Sequence, residues 1–154
     1  MLYKHDSRSI IFRSTIKNKK TMATLTPTLT LSSAAGDISS DALSLSVKDI
    51  LTVKAPSINL STVVATATGS ETIIVPASTA IAYLFVRHTG TTDGSTSTAQ
   101  LVDVEETGDA AFARLGAGEW LFMPFCHHAG NVGVQLHVQH ASVVQMEYAF
   151  WTKA

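Results

Sequence analysis

The sequence is poor in cysteine and charge and lacks long apolar runs, and each shortage excludes a class of protein. A single cysteine, Cys126, excludes an internal disulfide framework. No stretch approaches the roughly 18 consecutive apolar residues of a membrane-spanning helix, so we expect no membrane partner. Charged residues make up only 15% of the 154 residues and apolar residues 45%, which favours a compact globular protein over a disordered one.

The few charges are distributed unevenly along the chain. Residues 1–21 carry six lysines and arginines against one acid, a net charge of +5. The remaining residues carry five lysines and arginines against eleven acids, a net charge of −6. We therefore predict a basic N-terminal extension, residues 1–22, followed by one domain, residues 23–154, which is a usual length for a single core.

The basic extension has several interpretations that the sequence leaves open. Its apolar run Ile10–Phe12 is too short for a secretory signal, although the scarcity of acids is compatible with a targeting segment. Met22 is alternatively the true first residue. In a third interpretation, residues 4–20 form an arm that contacts nucleic acid or an acidic surface. The arm would act through Arg8, Arg13, Lys17, Lys19 and Lys20.

From residue 22 the composition changes to Thr, Ser, Ala and Val, and alternation of apolar and polar residues predicts strands. In 143-VVQMEYAFW-151 one face carries Val144, Met146, Tyr148 and Phe150, and the other carries Gln145, Glu147 and Trp151. Similar short segments alternate with Gly, Pro, Asp and Ser turns. We predict an all-β fold of about eight strands, an antiparallel two-sheet β-sandwich of jelly-roll or Ig-like type.

Local patterns add finer expectations. The segment 43-LSLSVKDILTV-53 predicts a strand pair, or one long strand with a break near Asp49, and 36-GDISSDAL-43 allows a helical turn. The segment 81-IAYLFVRHT-89 is apolar on both faces, which indicates a sheet centre or a subunit interface. We expect Phe122 and Phe150 in the core. The acids at 103–109 are expected at a solvated turn.

Four of the six histidines lie in 116-GAGEWLFMPFCHHAGNVGVQLHVQH-140. Within it, 118-GEWLFMPFCHHAGN-131 is similar to the second motif of cupins, which would imply a metal-binding enzyme using His127 or His128. Cupins also need an upstream His-x-His motif, and this chain has none. His137 and His140 are three apart, so on one strand they would point to opposite faces. We therefore expect no metal, no cofactor and no catalytic residue.

The body of the chain resembles small structural proteins of tailed-phage virions. The similarity runs through 43-LSLSVKDILTVKAPS-57, 83-YLFVRHTGTTDG-94, 115-LGAGEWLFMPF-125 and 147-EYAFW-151. It implies a non-enzymatic β-sandwich located in a virion, which binds identical subunits as a trimer or larger ring and also contacts other virion proteins. Decoration protein, turret and tail adaptor all fit this resemblance.

The contact residues expected for such an assembly are apolar or aromatic. They are Trp151, Tyr148, Leu25, Leu29 and Leu31. The segment 24-TLTPTLTL-31 alternates apolar residues with threonine, so it predicts either a strand added to a neighbour's sheet edge or an ordinary first strand. A further alternative is a glycan- or receptor-binding module that uses Trp120 or the loop 89–98.

Overall fold

The computed structural model describes residues 22–38, 40–66, 71–77, 79, 81–108, 110–125, 133–140 and 142–153, with 54–59 and 153 described by their backbone alone. Within these ranges the chain forms eleven β-strands and no helix. The strands are β1 Met22–Leu25, β2 Thr28–Ser33, β3 Leu43–Lys48, β4 Leu51–Ala65, β5 Thr72–Val75, β6 Ile81–His88, β7 Val102–Glu106, β8 Ala111–Leu115, β9 Trp120–Pro124, β10 Val134–Val138 and β11 Val144–Lys153.

Nine of these strands form two antiparallel sheets. The five-stranded sheet has the order β1-β4-β11-β6-β9, and the four-stranded sheet has the order β5-β10-β7-β8. The remaining two strands, β2 and β3, pair only with each other within the described residues and form a separate antiparallel ribbon. The predicted all-β sandwich is therefore confirmed, with a two-stranded ribbon added to it.

The strand partners nest in chain order. β4 pairs with β11, β5 with β10, β6 with β9 and β7 with β8. A long hairpin folded over on itself produces this pattern, and two sheets ordered in this way form a jelly roll. Of the two sandwich types that the sequence allows, the strand order is that of the jelly roll.

The core lies between the inner faces of the two sheets. Leu84 and Met146 of the five-stranded sheet and Val104 and Leu136 of the four-stranded sheet are fully buried in one hydrophobic cluster. Because successive side chains of a strand point to opposite faces, strands such as β7 and β11 contribute alternate residues to this cluster, Val102 and Val104 from β7 and Val144 and Met146 from β11. In β11 the predicted inner face is confirmed, with Tyr148 half-buried against the cluster.

The first strands differ from the prediction. The segment 24–31 is split at Thr26 and Pro27, so that Met22–Leu25 joins the five-stranded sheet and Thr28–Ser33 belongs to the ribbon. Met22, grouped with the basic extension by sequence, pairs with Lys54. Proline cannot donate to a ladder, which explains a break at this position.

The second half of the ribbon confirms the expected strand break near Asp49. β3 ends at Lys48 and β4 begins at Leu51. Described residues of 36–43 form a turn and a bend rather than a helical turn. Among the described residues, none forms a helix of the length and hydropathy that a bilayer crossing requires.

Candidate interaction surface

The outer face of the five-stranded sheet carries aromatic side chains on three neighbouring strands. β6 contributes Tyr83 and Phe85, β9 contributes Trp120 and Phe122, and β11 contributes Trp151. In the strand register Tyr83 lies opposite Trp151, and Phe85 lies opposite Phe122. These five residues are named the aromatic face below.

The rings of the aromatic face contact one another. Tyr83 and Phe122 stack with centroids 6.1 Å apart and planes inclined by 3°, and Phe122 meets Trp151 edge-on at 6.1 Å. Pairs of this kind stabilise a fold by about 0.5–1.5 kcal/mol each beyond area burial. The mutual contacts restrict the side-chain rotamers, so a partner would meet a surface that is already ordered.

A tight turn places Trp120 at the edge of this face. Gly118 adopts φ +82°, a conformation that a residue with a Cβ rarely takes, and the Glu119 carboxylate accepts a hydrogen bond of 2.7 Å from the Gly116 amide. The backbone amides of Gly118 and His88 bond to the carbonyls of His88 and Glu119. Trp120 therefore starts an edge strand, and it is 55% exposed.

A groove of about 500 Å³ runs along the aromatic face. One side is formed by Phe85, Trp120 and Phe122 with Leu121, and the other by Leu25, Pro27, Thr28 and Leu29. Among the described residues that line it, only Thr28 and Trp120 have side chains that can form hydrogen bonds, through a hydroxyl and an indole N–H. The groove is therefore suited to apolar side chains.

The two-stranded ribbon has one apolar side and one polar side. Register places Leu29 opposite Val47, Leu31 opposite Leu45, and Ser33 opposite Leu43. Every one of these aliphatic side chains is exposed, by 39% for Leu43 to 52% for Val47. The opposite side carries the polar pairs Thr28–Lys48, Thr30–Ser46 and Ser32–Ser44. We name the aliphatic side the ribbon face.

The base of the ribbon is held by backbone hydrogen bonds. The Asp49 amide donates to the Pro27 carbonyl at 3.2 Å, directly below the first register pair, Thr28 and Lys48. An isolated two-stranded hairpin is marginally stable in water. The ribbon is therefore closed at its base by a backbone hydrogen bond, and the aliphatic side chains beyond Leu29, which lines the groove, are exposed.

A polar rim borders the aromatic face. The Arg87 guanidinium lies on β6 opposite Trp120 and pairs with the Glu147 carboxylate of β11 at 3.2 Å. Both side chains are partly exposed, so solvent screening limits the pair to less than about 1 kcal/mol. The rim orients charges beside the groove without adding much stability.

The outer face of the four-stranded sheet is polar instead. Asp103 on β7 is only 4% exposed, and Arg114 on β8 donates to its two carboxylate oxygens at 2.6 and 3.1 Å. The Gln139 amide donates to the same carboxylate. The hydrogen bonds from Arg114 to Asp103, and then the negative charge of that carboxylate, raise the pKa of Arg114. The predicted solvated position of Asp103 is wrong because these side chains cover it.

A second polar pair completes that face. Gln135 of β10 donates to the Glu105 carboxylate of β7 at 2.8 Å. His137 lies opposite Asp103 in the ladder, pointing away from the core as its parity predicts. Carboxylates on this face thus have partners from neighbouring strands.

His88, which sequence inspection did not single out, is fully buried at the inner end of β6. Its Nδ1 accepts a hydrogen bond from the Gly90 amide at 2.9 Å, so Nε2 carries the proton and donates to the Gln100 carbonyl at 2.8 Å. This ring ties together both ends of the loop that follows β6.

The loop 89–98 is ordered by its own hydrogen bonds. The Asp93 carboxylate accepts from the amides of Thr96 and Ser95 and from both of their hydroxyls, and these bonds, those from the amides first, lower its pKa. Thr91 and Ser97 form a β-bridge across the loop. The polar groups of Asp93 are thereby engaged inside the loop.

Four of the five predicted contact residues lie on the apolar outer surfaces described above, and the fifth packs against the core. Trp151 belongs to the aromatic face, Leu25 and Leu29 line the groove, and Leu31 lies on the ribbon face. Tyr148 packs against the core, so its placement gives no support to a contact role. Phe150 is in the core as expected. Phe122, expected in the core, instead stands on the aromatic face.

The remaining predicted positions lie outside the described residues. They are Arg8, Arg13, Lys17, Lys19 and Lys20 of the basic arm and His127 and His128 of the cupin-like segment. In the part of the chain that the structure describes, no group of three or more His, Cys, Asp or Glu residues is arranged to hold a metal ion.

Two ion pairs were not predicted from the sequence, and a local pattern indicates only one of them. Counting outward from the Gly108 turn places Asp103 opposite Arg114, so this pair was detectable as a cross-strand partner in a hairpin. The Arg87–Glu147 pair joins strands 60 residues apart, and no local pattern indicates it.

Comparison of the chain with protein-family models, with curated proteins and with solved structures finds no match.

Proposed function

We propose that this chain is a non-enzymatic structural protein of a virion, which assembles as a symmetric oligomer on a phage capsid or tail in a decoration, turret or adaptor role. The observation that carries the proposal is the ribbon face. Its aliphatic side chains, Leu29, Leu31, Leu43, Leu45 and Val47, are all exposed.

Solvent exposure of this set has a clear cost. Burial of apolar surface stabilises by about 25 cal/mol per Å², and contiguous exposed apolar patches on soluble proteins usually mark interaction sites. Leu29 lines the groove of its own subunit, whereas Leu31, Leu43, Leu45 and Val47 stay exposed, and cover by another subunit would remove their apolar surface from water.

The virion assignment has separate and weaker support. Its basis is the resemblance of four segments to tailed-phage structural proteins, together with a jelly-roll order that viral capsid proteins share with lectins and cupins. A fold alone does not determine a function, so the assembly surface carries more weight than the topology.

The buried titratable groups of the described chain favour a structural role over catalysis. Asp103 is held by Arg114 and Gln139, and His88 bonds to two backbone groups. Both side chains stabilise the fold through hydrogen bonds within the subunit. The cupin-like alternative keeps its candidates, His127 and His128, and differs from the proposal in requiring a bound metal.

Native mass spectrometry of the full-length chain tests the proposal, because it reports subunit number and bound metal in one spectrum. We expect a metal-free trimer or larger ring. A monomer carrying one metal per chain, lost on His127→Ala or His128→Ala, would replace the proposal with the cupin-like enzyme. A metal-free monomer that persists when the protein concentration is raised 100-fold would refute self-assembly.

The virion location needs its own measurement. Particles banded from a culture that encodes the chain should contain it in many copies, quantified by peptide mass spectrometry against the major coat protein. Absence from purified particles, with the chain present in the cleared lysate, would contradict the location while leaving assembly intact.

A further inference from the structure

We propose that the aromatic face of each subunit is the acceptor for the ribbon face of a second copy of this chain. The inference rests on the proposed self-assembly and specifies how it occurs. The donor side chains are those of β2 and β3, and the acceptor is the groove formed by Phe85, Trp120 and Phe122.

The two surfaces match in size. Six-residue strands at about 3.4 Å per residue make the ribbon roughly 20 Å long, and its two strands lie about 5 Å apart. The aromatic face spans β11, β6 and β9, roughly 10 Å between the outer strand axes. Laid across the strands of the sheet, the ribbon is therefore long enough to span the aromatic face from β11 to β9.

The two surfaces also match in chemistry. The ribbon face presents aliphatic side chains and, at its far end, Ser33, and the groove offers them the rings of Phe85, Trp120 and Phe122 together with Leu25 and Pro27. A sugar or a nucleotide would leave its hydroxyls or phosphates without partners in this lining, since such ligands need several placed polar groups. The lining therefore favours an apolar protein segment over a glycan.

The ribbon of the same subunit does not fill this role. Leu29, at the ribbon base, already forms part of the groove wall, while Leu31, Leu43 and Leu45 lie beyond it and stay exposed. The hydrogen bond from the Asp49 amide to the Pro27 carbonyl joins the two strands of the ribbon at this base. The distal leucines therefore stay exposed within the described part of the chain, and the aromatic face of a second copy is the cover that the proposal assigns to them.

Interface area favours an exchange in which each subunit is both donor and acceptor. A stable interface buries about 800 Å² and 20–30 residues on each partner. The ribbon has twelve strand residues, too few by itself. In a ring, each subunit forms one contact through its ribbon and a second through its aromatic face, so two contacts hold each chain although each contact is below this size. Contacts between unlike patches close into rings when the rotation allows it.

A complementation experiment tests the pairing of the two surfaces. The ribbon variant carries Leu31→Asn and Leu45→Asn, an exposed cross-strand pair, and the face variant carries Trp120→Ser and Phe122→Thr. Leu60→Ser, on β4 of the same sheet and also exposed, is the matched control. Circular dichroism melting verifies the fold of each variant.

Native mass spectrometry then gives the outcomes. We expect each variant alone to be monomeric, with a Kd raised about 100-fold, and the control to assemble as the parent chain does. At the highest protein concentration, a mixture of isotope-labelled ribbon variant and unlabelled face variant should form one-to-one pairs and no ring, because only one intact ribbon meets one intact face.

Other results overturn the inference selectively. Assembly of the face variant alone means that the ribbon contacts a different surface, and assembly of the ribbon variant alone means that the face binds something else. Either result leaves the proposed self-assembly standing. A monomeric parent chain instead refutes self-assembly itself.

A cross-link covers the case in which the face variant fails to fold. In a Cys126→Ser background, chains with Leu31→Cys and chains with Trp120→Cys are mixed and oxidised. We expect disulfide-linked dimers between unlike chains in excess of those between like chains. Equal yields of like and unlike dimers would contradict the assigned contact.

Discussion

The two sheets of the jelly roll have similar inner faces and opposite outer faces. Inside, both contribute fully buried aliphatic residues to one core. Outside, the four-stranded sheet pairs its acids, as Asp103 does with Arg114, whereas the five-stranded sheet presents stacked rings centred on Phe122. Polar groups of neighbouring strands can satisfy one another within a subunit, but partly exposed rings gain most from cover by another apolar surface.

The comparison separates stability from assembly. Substitutions in the core should lower the stability of the subunit whichever sheet they are in. Substitutions on the polar outer face should lower stability alone, and those on the aromatic face should act mainly on association. Each prediction below tests one part of that division.

The largest expected effect is on the core beneath both faces. Leu84→Ala in the five-stranded sheet and Leu136→Ala in the four-stranded sheet each leave a cavity, because both side chains are fully buried. We expect each to lower the free energy of unfolding by about 2–5 kcal/mol. Urea unfolding measures this free energy at protein concentrations too low for assembly. If only one of the two variants lost less than 1 kcal/mol, the inner faces of the two sheets would not contribute equally to stability.

Next is a charge placed on each outer face. Trp120→Glu and Ile73→Glu change similarly exposed side chains on edge strands of the two sheets, 55% and 58% exposed. We expect Trp120→Glu to raise the assembly Kd about 100-fold, about 2.7 kcal/mol, by placing a charge in the groove. Ile73→Glu should leave the Kd unchanged.

Sedimentation velocity over a dilution series measures both constants. Equal weakening by the two substitutions would mean that negative charge, rather than the aromatic face, controls assembly.

A smaller effect is expected from the polar outer face. Arg114→Met keeps an aliphatic stem but removes the ion partner of the buried Asp103 carboxylate. Gln139 still donates to that carboxylate, so we expect a stability loss of about 1–3 kcal/mol in urea unfolding. The assembly Kd should stay constant. A weaker assembly with unchanged stability would assign this face to an interface instead.

The smallest effect is expected at the rim of the aromatic face. Glu147→Gln removes the charge that pairs with Arg87, and both side chains are partly exposed. We expect a stability change of about 0.5 kcal/mol or less, since surface ion pairs are weak. If Glu147→Gln lowered the stability as much as Arg114→Met does, the solvent exposure of an ion pair would not determine how much that pair stabilises the fold.

The sequence predicted the faces of β11 well and those of β9 poorly. Alternation in β11 separates Met146 and Phe150 from Trp151, and the structure places them on opposite sides of the sheet. In β9 both sets of alternate residues are apolar, so Phe122 was expected in the core. Its pairing with Phe85 places it outside.

The local sequence pattern also leaves the position of the ribbon undetermined. Alternation in 24–31 correctly indicates extended backbone with leucines on one side, but it does not reveal that Leu29 and Leu31 lie on a separate hairpin. Pro27 signals a break, and only the pairing of Leu31 with Leu45 shows which strand lies alongside. Exposure of both residues follows from their position off the sandwich.

By itself, the sequence determined the all-β class, the positions of most strands and turns, and the one-sided leucines, because period-two alternation and turn residues are local. Tertiary structure alone decided the jelly-roll nesting, the aromatic face and the support of buried His88. Ladder partners such as Val53 and Lys153 lie 100 residues apart. Local hydrophobicity cannot identify a distant partner, because many strand pairs would bury similar apolar area, and the chosen pairing is the one that closes a single core between both sheets.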